Sequence, residues 1–280
     1  MNTKSAERVL ALFADVRLTP TQRRIAHTLV LHAGAAAWLS AAEVADLAGV
    51  SQPSVTRFAM ALGHDGYPAL RQLLREASVD SPAGAGRDDT NEVQHAVRQE
   101  MANLERLAGD LADGDALTGA GTLLAASRPL PVVGLRAAAP LAAYFGFFAA
   151  KVLPDVRVLD TGGTLLTDRL EQARAAGASA MLAIVLPRYP RETLDALAEA
   201  RALGLRTVVI TDSPVSPAAE TADVVLTARV GAGLVFDLHT APMTLAMVLL
   251  QAICDAAPDE TQRRLEEFEA SAARRQIFAP

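Results

Sequence analysis

Cysteine is almost missing: Cys254 is the only one in 280 residues, so no disulfide within the chain holds it together. It stands among Leu249, Leu250 and Ile253, the setting of a small buried thiol rather than of a nucleophile. No uninterrupted apolar run is long enough to span a bilayer. The first residues, MNTKSAERVLALFADVR, carry charges through their apolar positions and do not read as a signal peptide. These absences point to the cytoplasm and to no membrane partner. His27, His32, His64 and His95 show no metal-ligand spacing, and no cysteine cluster accompanies them, so neither metal nor cofactor is expected. No internal repeat is found. What is abundant is apolar content, 51% against 21% charged residues. That excludes global disorder and supplies cores for one large or two ordinary domains.

Net charge is −6, unevenly spread: residues 1–79 carry eight basic against six acidic groups, and the rest 18 against 26. An acidic whole leaves room for a basic local face, and the asymmetry assigns phosphate contact to the N-terminal end.

The most informative stretch is Ser40 to Gly63. Ser40 with Glu43 forms a capping box at a helix start. Val44, Leu47 and Ala48 recur at helical spacing. Gly49 then supplies a left-handed turn position. Ser51 is placed to cap a second helix, with Pro53 in its first turn, where a missing N–H costs little. Val55, Phe58, Ala59 and Leu62 form the inward stripe. Ser51, Gln52, Ser54, Thr56 and Arg57 remain outside, the residue types that bond base edges and phosphates from a helix in the major groove. This is a helix-turn-helix pattern. Around it, the spacing predicts a helix over 5–16, a second opened by Thr19-Pro20 and running to about Gly34, and another from Ala69 to about Ala77. Trp38 and Leu39 are expected to pack between helices. Arg23, Tyr67 and Arg71 are expected to join Arg57 at backbone phosphates.

Residues 78–90, with Pro and Gly and no apolar period, read as a linker. Asn91 is expected to cap a long helix with Val93, Val97, Met101, Leu104, Leu107 and Leu111 inward, packed on a domain or along a dimer seam. From Leu130 short apolar runs alternate with helices. Strands are expected at 130–134, 156–159, 180–186, 206–211 and 224–226, and helices at 136–151, 164–176, 191–203 and 238–257. Such alternation means parallel strands in a three-layer αβα sandwich with a five-stranded sheet. Ligands of such sheets sit at the carboxyl ends of strands. A charged helix closes the chain, with Leu265 and Phe268 as its contacts. The domain plan is 1–77 helix-turn-helix, 78–90 linker, 91–127 connecting helices, 128–257 sandwich and 258–280 helical tail. The fold class is therefore α followed by α/β.

The stretches LTPTQRRIAHTLV and LSAAEVADLAGVSQPSVTRFAMALGHDGYPALRQLL resemble the DNA-binding domain of the RpiR (MurR/RpiR) family of bacterial transcriptional regulators. Residues 130–255, with VVITDSPVSPAAETADVVL late in the order, are similar to that family's second domain, a SIS (sugar isomerase) fold that binds phosphosugars. The resemblance implies a regulator that reads an inverted-repeat operator on double-stranded DNA as a homodimer or homotetramer. It also implies an effector site in the SIS-like domain.

Two loops depart from the family pattern. Where G-x-G-x-S is usual, this chain has Gly134-Leu135-Arg136-Ala137-Ala138. Where S-x-S-G-x-T is usual, it has Arg188-Tyr189-Pro190-Arg191-Glu192-Thr193, keeping only Thr193. Arg136, Arg188 and Arg191 follow strand ends, and arginine pairs with carboxylate or phosphate through two parallel bonds. Two readings stay open: a site for a small anion, phosphosugar or carboxylate, or structural ion pairs with neighbours such as Glu192 or with a partner subunit. Gly134, Thr161 and Tyr189 complete the candidate ligand set. Thr161-Gly162-Gly163-Thr164 either donates amides to the ligand or is a plain turn, and His239 reads as a capping or surface residue. The alternative function is a sugar-phosphate isomerase with a helical extension. It needs a positioned base and phosphate-anchoring hydroxyls. The hydroxyl loops are replaced, and Glu192 is the one carboxylate beside a loop, so no catalytic residue is assigned.

Overall fold

The computed structural model describes residues 3–13, 16, 18–78, 92–231, 234 and 236–279. Its first unit spans Met1–Ala96 with Val215–Glu220 and Ala232–Val235, and its second holds the remaining segments from Val97 to Pro280.

The first unit is built from α1 (Thr3–Ala11), α2 (Pro20–Leu31), α3 (Ala33–Ala36), α4 (Ala41–Ala48), α5 (Gln52–Ala61) and α6 (Tyr67–Ser78). Two reciprocal capping boxes fix helix starts: Thr19 with Gln22 opens α2, and Ser40 with Glu43 opens α4. The Ser40 contacts hold the Glu43 carboxyl below its ordinary value. Gly49 ends α4 at φ 61°, the left-handed cap. Val9, Phe13, Ile25, Leu29, Val44, Val55, Phe58, Leu70 and Leu74 are buried together, with the Phe13 and Phe58 rings tilted against each other at 5.5 Å.

Three expectations are corrected here. The first helix stops at Ala11 rather than 16. Trp38 is 73% exposed and lies under the Arg75 guanidinium at 5.4 Å instead of packing between helices. The apolar stripe of α4 runs through Val44, Ala45 and Ala48, leaving Leu47 half exposed.

Of the linker proposed at 78–90, Ser78 instead ends α6, and residues 79–90, like the Asn91 cap, lie outside the described residues. The long helix that follows, α7 (Glu92–Asp110), divides the expected inward stripe in two. Val93, Val97 and Met101 face outward, 53–61% exposed, while Glu100 and Asn103 are buried. Asn103 donates to Glu100 Oε1 at 3.0 Å. Gly231 approaches the same oxygen so closely that a Cβ there would lie 1.9 Å from it. Only Leu107 of the expected stripe is fully buried, with Leu104 and Leu111 partly covered.

The second unit is organised by β1 (Leu130–Gly134), β2 (Val156–Leu159), β3 (Ala180–Val185), β4 (Arg206–Thr211) and β5 (Val224–Thr227). They form one sheet in the order β2-β1-β3-β4-β5, parallel throughout. β1 and β3 are buried at every residue, which is why both read as continuous apolar runs rather than alternating ones. One packed group of helices is α8 (Asp115–Ala125), α9 (Ala139–Val152) and α12 (Thr240–Ala256); the other is α10 (Thr164–Ala175) with α11 (Arg191–Ala202). A 3₁₀ turn at Arg136–Ala138 precedes α9, so the expected single helix from Arg136 is split. Leu238 bridges Gly231 before α12 begins at Thr240.

The tail helix, α13 (Pro258–Arg275), lies against α9. Lys151 Nζ sits 4.4 Å from the Phe268 ring centroid and 4.6 Å from that of Phe147, a cation–π cluster. Arg264 donates to the Leu153 carbonyl at 2.8 Å, and Arg128 pairs with Glu260. Ala272, not Leu265, is the buried contact of this helix.

Two glycines of α8 make a controlled pair. A Cβ at Gly121 would lie 2.6 Å from the Ala252 backbone, whereas one at Gly119 would meet nothing within 4 Å. Gly121→Ala should destabilise by about 1–3 kcal/mol through overpacking. Gly119→Ala should stabilise by up to about 1 kcal/mol through helix propensity. Urea unfolding of both variants checks the opposite signs.

Candidate functional site

Two candidate surfaces are considered, one in each unit. In the first, the Gly49 turn sets α5 against α4. Val55, Phe58 and Ala59 hold α5 from its inner side. Ser51, Gln52, Pro53 and Arg57 are exposed, and Ser54 and Thr56 half-buried. Ser51 occupies the cap position, but its hydroxyl does not cap an amide. It meets the Ser54 hydroxyl at 2.9 Å, and Arg57 Nη2 donates to Ser54 Oγ at 3.4 Å. A Ser51–Ser54–Arg57 relay therefore holds polar groups on the outer face, while in the first turn Pro53 has no N–H and the Ser54 amide donates to the Ser51 carbonyl at 2.9 Å.

The residues expected around α5 divide. Arg71 is half-buried on α6. Tyr67 is corrected: it is 2% exposed and its hydroxyl donates to the Leu39 carbonyl at 3.2 Å. Burial pushes its pKa up to about 12, Arg71 opposing and Glu43 adding to the shift. Tyr67 thus ties α6 to the chain before α4 and is not placed to meet phosphate. Arg23 is likewise committed, donating to the Ala219 carbonyl at 2.5 Å within the first unit.

In the second unit the order 2-1-3-4-5 creates a topological switch point. The chain leaves β1 toward β2 on one side and returns to β3 on the other, so a crevice opens between the carboxyl ends of β1 and β3. Register places Gly134 beside Ile184, so residues 135–138 and 186–191 line that crevice. Gly134 itself is buried. A Cβ there would lie 2.6 Å from the Ala142 Cβ and 2.7 Å from the Ala138 carbonyl. It permits the close return of the chain onto the strand end and is not a ligand group.

Arg136 and Arg188 both hold left-handed backbone, at φ 53° and 70°, where a Cβ costs about 1–2 kcal/mol. Arg136, Arg188 and Arg191 are all exposed. Among the described residues, no hydrogen bond or ion pair engages their guanidinium groups.

The remaining ligand candidates have partners or are covered. The Thr161 hydroxyl donates to Asp160 at 3.2 Å. Thr193 is 1% exposed, and its hydroxyl has no hydrogen-bond partner among the described residues. Tyr189 turns its hydroxyl to Asp212, at 2.8 and 3.1 Å from the two carboxylate oxygens. Burial raises the Asp212 pKa, the Tyr189 hydroxyl opposes that shift, and the nearby Asp237 carboxylate adds to it. Burial and the Asp212 charge raise the Tyr189 pKa in turn.

Sequence reading missed Asp212, although it follows β4 directly. It also missed that Glu192 serves the Gly162-Gly163 loop: Gly163 N–H donates to Glu192 Oε1 at 3.1 Å. His239 sits at the cap position of α12 without a side-chain capping bond.

A helix-turn-helix unit joined to a parallel αβα domain with a strand-end crevice defines a two-part protein. The family comparisons specify it. The helix-turn-helix domain of the rpiR family matches residues 14–80, and the SIS domain matches residues 123–252. The first domain thus belongs with the rpiR-family helix-turn-helix domains and the second with the SIS domains.

YfhH of Escherichia coli (strain K12), an uncharacterized HTH-type transcriptional regulator, is 42% identical over 65 residues; the chain spans 23% of that curated relative's length. The sugar isomerase domain of an RpiR transcription factor from Sphaerobacter thermophilus is 29% identical. It covers 62% of this chain and 97% of its own, with TM-score 0.55. The Vibrio vulnificus NanR protein, solved in complex with ManNAc-6P, shares the fold over 99% of this chain and all of its own, at 16% identity and TM-score 0.57. Among the described residues no single helix is long and apolar enough to cross a membrane.

Asp212 generates a pH prediction. A carboxyl whose folded pKa is raised costs stability progressively as pH climbs from its unfolded value through the folded one. Asp212→Asn keeps an acceptor for Tyr189 and removes the buried charge. Its unfolding temperature should exceed that of the parent at pH 8, and the gap should close near pH 4.

Proposed function

We propose that this chain is a transcriptional regulator. In this reading it binds an inverted-repeat operator as a homodimer or homotetramer through α5, and its affinity for DNA responds to a small anionic metabolite, a phosphosugar or a carboxylate. The observation that carries the effector half is the pair Arg136 and Arg188. Both hold costly left-handed backbone at the switch point, and neither guanidinium has a partner among the described residues. Strain of this kind persists where surrounding structure over-determines it and clusters at ligand clamps. NanR, which shares the fold, was solved with ManNAc-6P, and that supports a phosphorylated sugar as one ligand class. In this chain, however, guanidinium groups replace the hydroxyl loop, so the anion is held by charge and paired N–H donors.

The DNA half rests on the outer face of α5, with Ser51, Gln52, Ser54, Thr56 and Arg57 toward the groove and Arg71 at its flank. A two-fold dimer matches half-sites spaced by a helical turn. The outward Val93, Val97 and Met101 of α7 offer apolar surface for pairing copies. Effector binding changes operator occupancy to the extent that the two DNA-bound and free arrangements differ in effector affinity. No catalytic step is assigned.

The first test is selection of duplexes from a random pool by the purified protein. An enriched inverted repeat is expected, and absence of enrichment from folded protein counts against the reading. With that duplex in hand, Arg57→Ala should weaken binding by about 1–3 kcal/mol in an electrophoretic shift, with the circular dichroism spectrum unchanged. Arg188→Gly separates strain from function. It should leave stability undiminished, because relief of about 1–2 kcal/mol offsets the added chain entropy of glycine. The same variant should abolish release of the operator by anionic effectors.

A further inference from the structure

We infer that Glu192 is an internal gate on the anion site. Its carboxylate, on the same loop-and-helix start as Arg188 and Arg191, bars compact anions and favours anions that bring a hydroxyl or ammonium donor of their own. The inference rests on the anion-site reading proposed above.

The topology makes the position specific. β2 and β3 do not touch; β1 lies between them. The loop after β2 and the first turn of α11 after β3 therefore flank the carboxyl end of β1, where Arg136 sits. Glu192 spans that gap. Its Oε1 accepts from the Gly163 amide at 3.1 Å. Its Oε2 lies 2.3 Å from where a Cβ of Gly162 would be. The double glycine is thus a fitted receptor: Gly162 leaves room for the carboxylate, and Gly163, at φ 76°, presents its amide as α10 begins. Nascent amides at a helix start carry partial positive charge and hold anions, and here the chain supplies that anion itself.

Two further observations concern the polar groups next to Glu192 in the chain. Thr193, the next residue, is 1% exposed with a hydroxyl that has no partner among the described residues. Glu192 also forms no ion pair with Arg136, Arg188 or Arg191 among the described residues, although Arg191 adjoins it in sequence. The guanidinium groups are left for a second anion, which must approach a carboxylate already in place. Like charges brought close together disfavour binding. An anion whose neighbouring hydroxyl or ammonium donates to Glu192 Oε2 converts that repulsion into a hydrogen bond.

The test is calorimetric titration of the full-length protein with inorganic phosphate, and with glucosamine 6-phosphate as the donor-bearing probe. Glu192→Gln keeps an acceptor for the Gly163 amide and removes the charge. Gly162→Ala keeps the charge and displaces the carboxylate. Both variants should bind phosphate about tenfold or more tightly than the parent, and Arg188→Ala added to either should remove the gain. Preference for glucosamine 6-phosphate over phosphate should shrink in both. Equal phosphate affinity in parent and variants, with Arg188→Ala still weakening it, overturns the gate and leaves the anion site standing. No phosphate binding by parent or variants overturns the anion-site reading, and the gate with it.

Discussion

The second unit depends on one arrangement, the pairing of β1 with a strand on each side. β1 hydrogen-bonds to β2 through Leu130–Val133 and to β3 through Val132–Gly134. Because the chain visits β2 before β3, it must cross over β1, and that crossing opens a crevice at its carboxyl end. Everything of functional interest in this unit follows from that position. Gly134 lets the chain fold back against the strand end. The Arg136 turn comes next, and the starts of α10 and α11 are tied together by the Gly163–Glu192 hydrogen bond. A sheet with strands in sequential order would have no such crevice.

In the first unit the corresponding constraint is the left-handed Gly49 between two helices that begin with sharply defined ends. Ser40 and Glu43 satisfy each other's backbone amides at the start of α4. The α5 start is different: its cap hydroxyl goes sideways to Ser54 and on to Arg57. That difference is chemically sensible. At the α5 start Pro53 has no N–H to cap and the Ser54 amide is met by the Ser51 carbonyl, so the cap hydroxyl is free to join the outer side chains.

The candidate effector site combines strain with chemical substitution. Left-handed residues are ordinarily glycine or asparagine, because a Cβ there crowds the backbone. This chain puts arginine at two such positions, on the loops that follow adjacent strands. Burial elsewhere in the unit compensates, since β1, β3 and most of β4 are inaccessible to water. Tyr189 and Asp212 form a second polar pair at the ends of β3 and β4. There the tyrosine hydroxyl satisfies a carboxylate that burial would otherwise disfavour.

Sequence by itself determined what depends on neighbours along the chain. The capping box, the Gly49 turn, the inward stripe of α5 and the buried strands are local patterns of spacing and backbone preference, and they stand where spacing placed them. Tertiary structure decided what depends on which face meets what. Tyr67 looked like a phosphate ligand because it is polar and follows a turn, yet α6 turns it inward to Leu39. The apolar residues of α7 looked like core, yet the buried face carries Glu100 and Asn103, and Val93, Val97 and Met101 lie outside. Glu192 looked like a partner for the neighbouring arginines, yet it reaches a glycine amide 29 residues earlier. Periodicity identifies a helical stripe without saying which neighbour it will meet. A carboxylate's choice between guanidinium and amide is made by geometry that exists only once β1 lies between β2 and β3.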